Sequence, residues 1–130
     1  MHGDLTRQII GAFFDVYNAL GQGFVEAVYQ RAMPLSLAKR GVQSEREVPI
    51  TVKYLGVGIG DYRADQIVEE KMIVESKVAT KILPVHEIQL VNYLKASRIP
   101  VGLILNFGPD PTFRRLFLTS TPNGSAMIRS

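Results

Sequence analysis

Three charged side chains, Asp65, Glu75 and Lys77, lie in a stretch that otherwise reads as a β-hairpin, residues 61–78 (DYRADQIVEEKMIVESKV). If the hairpin turns symmetrically about Glu70, Asp65 lies opposite Glu75. Opposed residues share a face, with Cβ atoms roughly 4.5–5.5 Å apart. Lys77 joins them because strand side chains alternate and it stands two positions beyond Glu75. A register one residue out would separate the two acids. Carboxylates this close repel, so in a cleft one takes up a proton unless a cation lies between them. A divalent cation there would lower the pKa of bound water toward ~7 and polarise a phosphoryl oxygen. The ammonium beside it would neutralise charge building on a phosphate or hold the attacking water. The competing reading is a cross-strand ion-pair cluster on a solvent face. Val68, Met72, Ile73, Val74 and Val78 favour an interior hairpin instead, where ion pairs are costly.

The residue inventory limits which cation. There are no cysteines and only two histidines, His2 and His86, far apart in the chain. Thiolate zinc sites, cysteine nucleophiles and disulfides are excluded, and a histidine-rich metal site is disfavoured. Oxygen ligands remain, and these select a hard ion such as Mg²⁺ or Mn²⁺. No phosphate-binding GxxxxGK(S/T) loop, dinucleotide fingerprint or GxSxG elbow is present.

The 130 residues suit one domain with one core. Apolar residues make up 46% and charged residues 21%, an ordinary globular balance. A net charge of +3 and a pI near 9.3 permit an anionic partner without requiring one. No apolar run is long enough for a membrane helix, and the first residues (MHGDLTRQII) carry no basic-then-apolar secretion signal. No membrane partner is expected. A cytoplasmic location is, because the absence of cysteine is compatible with a reducing compartment.

The elements that must position the three charges follow from periodicity. Ile9, Ile10, Phe13, Phe14, Val16, Tyr17 and Leu20 repeat helically over 4–20, with Asp4 or Thr6 as N-cap. A second helix is expected over 24–40, ended by Gly41 and kinked or broken near Met33 by Pro34. Alternation from Val48 to Tyr54 predicts a strand, LGVGIG (55–60) a glycine-rich turn, and 61–68 and 72–78 two strands around Glu69-Glu70-Lys71. Residues 84–97 read as helix. VGLILNF (101–107) reads as a strand buried on both faces, and 113–119 as a last strand. The order α-α-β-β-β-α-β-β predicts an α/β domain over 1–119 with a mixed sheet flanked by helices. Residues 120–130 are expected to form a flexible tail.

Four motifs then fall in one order. Gly23-Phe24-Val25-Glu26-Ala27-Val28-Tyr29 resembles the signature of the GxxExxY protein family. Asp65 with Glu75-Ser76-Lys77 resembles the D…(D/E)xK core of the PD-(D/E)xK nuclease superfamily. Gln89 and Tyr93 resemble the QxxxY motif of its recombination-nuclease-like branch, and PVHEIQLVNYLKASRIPVGLILNFG (84–108) is similar to the same family. The resemblance runs from about Leu5 to Phe117. Ala64 stands where the superfamily's name has proline, and Ser76 where an apolar residue is usual.

The resemblance implies a single-domain restriction-endonuclease-like core and a metal-dependent nuclease, with DNA the expected nucleic acid. It implies that Asp65, Glu75, the Ser76 carbonyl and Glu26 hold Mg²⁺ or Mn²⁺, that Lys77 is catalytic, and that Gln89 positions the lysine or substrate. Tyr29, Tyr93 and His86 become substrate-binding or supporting residues. Read alone, Glu26 is a helical glutamate near an N-terminus, Tyr29 and Tyr93 are packing residues, and His86 is a cap or surface group. Lys39, Arg40, Lys81, Lys95, Arg98, Arg114 and Arg115 could line a phosphate groove or simply face solvent. A homodimer is compatible with action on a duplex. The rival readings are a non-catalytic binding or assembly module that keeps the nuclease fold, and a metal-dependent enzyme with another substrate.

Overall fold

The apolar stripe Ile9, Ala12, Phe13 and Val16 is what the first helix buries. The computed structural model describes residues 2–120 and 126–129. Helix α1 (Gly3–Leu20) pairs with α2 (Glu26–Lys39). Neither expected N-cap serves α1: His2 holds that position and Asp4 lies in the first turn. Thr6 instead turns its hydroxyl back to the His2 carbonyl. Helix α2 runs on through Pro34 rather than breaking. Buried Met33 and Leu37 on either side of the proline anchor both halves in the core, and that burial outweighs the one missing helical hydrogen bond. The helix stops as Gly41 predicts. Gly41 N–H reaches Ala38 and Val42 N–H reaches Leu37, with φ +75° at the glycine, and Val42 packs into the same core as Leu37.

Strands β1 (Ser44–Tyr54), β2 (Val57–Val68) and β3 (Met72–Lys77) lead into α3 (Pro84–Ser97), β4 (Val101–Asn106), β5 (Thr112–Ser120) and β6 (Ala126–Arg129). They form one six-stranded sheet in sequence order. Only β3 and β4 are parallel, joined through α3, and every other pair is antiparallel. This is the expected mixed α/β architecture, with one strand added. Where the sequence suggests a tail, residues 126–129 pair with β5; residues 121–125 and 130 lie outside the described residues.

Helices α1 and α2 cover one face of the sheet and α3 the other. Val74, Val101, Leu103 and Leu105 pack toward α1 and α2, and Ile73, Ile104 and Leu116 toward α3. Every residue of β4 is buried as a result. Strand β4 lies between β3 and β5 in the middle of the sheet. Phe107 fills the base of the first layer, edge-on to Phe13 at 4.7 Å and stacked on Tyr29 at 4.5 Å.

Two turns decide the shape near the charges. LGVGIG is mostly strand, not turn. Only Leu55 and Gly56 reverse the chain, both with positive φ (51° and 77°), and 57–60 continue β2. A two-residue turn of this hand matches the twist of the strands it joins. The second reversal, at Glu69 and Glu70 (φ 53° and 59°), pairs Val68 with Met72, Ile67 with Ile73 and Gln66 with Val74. That is the register centred on Glu70.

The β2–β3 ladder ends at Gln66, and the β1–β2 ladder skips the Glu47–Asp65 pair while Glu47 takes φ +51°. On either side of that step β2 changes face. Val68 belongs to the α1/α2 core, whereas Ala64 packs with Ile50 in the α3 core. The β1–β2 ribbon therefore bends at Asp65 and leans over α3.

Candidate active site

At the bend the two expected carboxylates replace the missing ladder. The Asp65 backbone N–H donates to Glu75 Oε2 at 2.7 Å, and the Ser76 backbone N–H donates to Asp65 Oδ2 at 2.9 Å. Each acid thus holds the other's strand, with one of its oxygens engaged. Glu75 is 2% exposed. Burial, then the Asp65 charge, pushes its carboxyl up to about 8. Asp65 is also raised, chiefly by burial, against the lowering effects of the Ser76 N–H and of Lys77.

Lys77 closes β3 two residues on. Its Nζ donates to Gln89 Oε1 at 2.8 Å, and Gln89 Nε2 donates to the Tyr93 hydroxyl at 3.0 Å. Gln89 and Tyr93 share one face of α3, as their four-residue spacing requires. Burial and the Glu75 charge raise the Tyr93 phenol. Helix α3 reaches this position because β4 has glycine at 102. A Cβ there would stand 2.8 Å from Leu90 Cδ1 and 3.1 Å from the Ile73 carbonyl.

Asn106 is a supporting residue the sequence reading missed. It is fully buried. Its side chain accepts from Ala79 N–H at 3.0 Å and Gly108 N–H at 3.1 Å, and donates to the Ala79 carbonyl at 2.9 Å. Phe107 N–H also binds the Lys77 carbonyl at 2.8 Å. Together they pin the chain just beyond the lysine. The signal was there: an asparagine inside an otherwise apolar buried run must find partners.

Glu26 stands at the first turn of α2 and accepts from Gln30 at 3.1 Å. Its charge raises both Asp65 and Glu75. Elements on both faces of the sheet therefore converge on the gap between β2 and β3. Tyr29 does not reach it. Its ring lies fully buried against Phe107, and its hydroxyl donates to the Gly21 carbonyl and accepts from Phe24 N–H. It holds the loop that delivers Glu26. His86 caps α3, its Nδ1 accepting from Leu83 N–H at 3.0 Å. Of the basic residues, Arg40 binds Asp15 and Gln8 across α1 and α2, Arg114 pairs with Glu87, and Arg115 lies over the Phe117 ring.

A family model for the PD-(D/E)XK nuclease superfamily matches residues 3–116, nearly the whole chain. The chain belongs to the PD-(D/E)XK nuclease superfamily. The crystal structure of SSO0001 shares the fold, with a TM-score of 0.54 over 68% of this chain at 20% identity. The chain spans about half of that protein, 48% of its length. A search of curated proteins finds no match.

As a PD-(D/E)XK domain, the chain departs from the superfamily's name at Ala64, which is fully buried in the α3 core and contributes no ligand group. Ser76 uses its N–H on Asp65 and leaves its carbonyl as a candidate ligand. The fit to a metal rests on charge. Among the described residues no ion pair neutralises Asp65 or Glu75. No cluster of three or more His, Asp or Glu ligands forms there either. Two carboxylates, a carbonyl and several waters make a donor set that Mg²⁺ accepts, since it dehydrates reluctantly. Among the described residues no helix is long and apolar enough to cross a membrane.

Proposed function

We propose that this domain hydrolyses phosphodiester bonds in nucleic acid, with DNA as the substrate and Mg²⁺ or Mn²⁺ as cofactor, and that it belongs to the GxxExxY branch of its superfamily. The observation that carries the reading is the reciprocal clasp of Asp65 and Glu75 beside an ammonium tethered by Gln89. Asp65, Glu75 and the Ser76 carbonyl would hold the ion, with Glu26 reaching it through water. When bound, the ion supplies a nucleophilic water near neutral pH and stabilises charge on the phosphoryl oxygens.

The chain's own groups do the rest. The clasp fixes both carboxylates before any ligand arrives, so little reorganisation is needed. Gln89 accepts from Lys77 and aims the ammonium beside the carboxylates, where it can hold a water or offset negative charge on the phosphate. Tyr93 orients the Gln89 amide by accepting its N–H. Asn106 anchors the strand end that bears the lysine.

Purified protein incubated with single- and double-stranded DNA and RNA and Mg²⁺ or Mn²⁺ tests this. Cleavage should depend on the metal and fall at least about 100-fold in Glu75→Ala and Lys77→Ala. Cleavage that survives either substitution defeats the proposal.

A further inference from the structure

Tyr62 sits on β2 three residues before Asp65, opposite Ile50 on the face toward α3. Its ring meets that of Tyr93 at 5.3 Å, tilted by 56°. Tyr93 is 7% exposed and Tyr62 36%. Tyr62 is therefore the most exposed member of a run of contacts that links it through Tyr93 and Gln89 to Lys77. Among the described residues no hydrogen bond occupies its hydroxyl. The ribbon that carries it, residues 49–63, has no backbone partner outside its own hairpin among the described residues. That ribbon is nearly neutral, with Lys53 and Arg63 set against Asp61. It is poorly suited to tracking phosphates, but it presents an exposed aromatic ring against Tyr93.

We infer that Tyr62 is a stacking platform for an unpaired base of the strand whose phosphate reaches Asp65, Glu75 and Lys77, so the site takes single-stranded nucleic acid in preference to blunt duplex. The inference rests on the nuclease reading and names its substrate class. Inside a duplex both faces of a base are covered by its neighbours. An unpaired base leaves a face free, and stacking on an aromatic side chain stabilises it by about 1–3 kcal/mol. The bend at Glu47 and Asp65 is what leans this ring over α3 against Tyr93.

The test is binding, kept separate from cleavage by working in a Lys77→Ala background. Fluorescence anisotropy is read with a labelled single-stranded oligonucleotide and with the blunt duplex of the same sequence. The single strand should bind at least about 10-fold more tightly. Tyr62→Ala should weaken it by about 10-fold and leave the duplex unchanged, while Tyr62→Phe retains wild-type affinity. Tyr62→Leu keeps apolar cover on Tyr93 without a π face and should behave like the alanine variant. Leucine binding as tightly as tyrosine would overturn the inference, as would an equal loss on both substrates or no preference for the single strand. Metal-dependent cleavage with intact selectivity in Tyr62→Ala would sink this inference alone. Absence of any nucleic-acid binding would sink the nuclease reading with it.

Discussion

Lys77 and Gln89 are joined at 2.8 Å between Nζ and Oε1, across the boundary between sheet and helix. The amide of Gln89 is turned by its second bond to Tyr93, so its oxygen faces the ammonium. Losing a hydrogen bond to a charged group costs about 1.5–3 kcal/mol. Gln89→Ala should therefore lower kcat by about 10- to 100-fold with little change in fold. Tyr93→Phe, which only frees the amide to turn, should cost less. Steady-state kinetics on both variants check this, and equal losses would contradict the ordering.

The Glu75 carboxyl makes metal-free stability depend on pH. Its folded value of about 8 lies above the ordinary 4.5, so the folded state holds a proton that the unfolded chain has released. That contribution is complete below about pH 4.5 and fades as pH rises through 8. Thermal unfolding in EDTA should show a Tm that falls from pH 5 to pH 8, with a shallower fall in Glu75→Gln. Mn²⁺ should restore Tm at pH 8 in the wild type, since a ligand that binds only the folded state stabilises it. The Glu75→Gln variant should gain little. A wild-type Tm indifferent to Mn²⁺ would contradict a metal at this pair, and titration calorimetry would show the same lack of binding.

Asn106→Ala strips partners from Ala79 N–H, Ala79 C=O and Gly108 N–H in a buried setting. Unsatisfied buried groups make a loss of about 3 kcal/mol the expectation. Urea unfolding should show a lower midpoint at unchanged slope. Activity well below the melting temperature should also drop, because the end of β3 that carries Lys77 loses its anchor.

Gly102→Ala forces a methyl group against Leu90 and the Ile73 carbonyl. Leu90 adjoins Gln89, so any outward shift of α3 moves the amide from the lysine. Overpacking of this kind costs about 1–3 kcal/mol. The variant should lose activity at temperatures where it remains folded, and Leu90→Ala in the same chain should relieve part of that loss.

The residues alone indicated the extent of the third helix, the doubly buried strand and the candidate Asp65, Glu75, Lys77 set, and they allowed the hairpin register about Glu70 that the strand pairing then selected. All of these are local. Alternation assigns faces, a three-residue reversal centred on Glu70 restricts the register, and proline with helical spacing marks a helix. The tertiary structure alone decided the bend at Glu47 and Asp65, the burial of Tyr29 away from the gap, the continuity of α2 through Pro34 and the Asn106 anchor. It also showed that 57–60 extend a ribbon and that 126–129 add a strand. Each of these depends on which distant group supplies a hydrogen bond or a packing surface. The clasp shows the division most plainly. Periodicity brings Asp65 and Glu75 to the same level, but only the opening of the ladder turns each carboxylate onto the other strand's backbone.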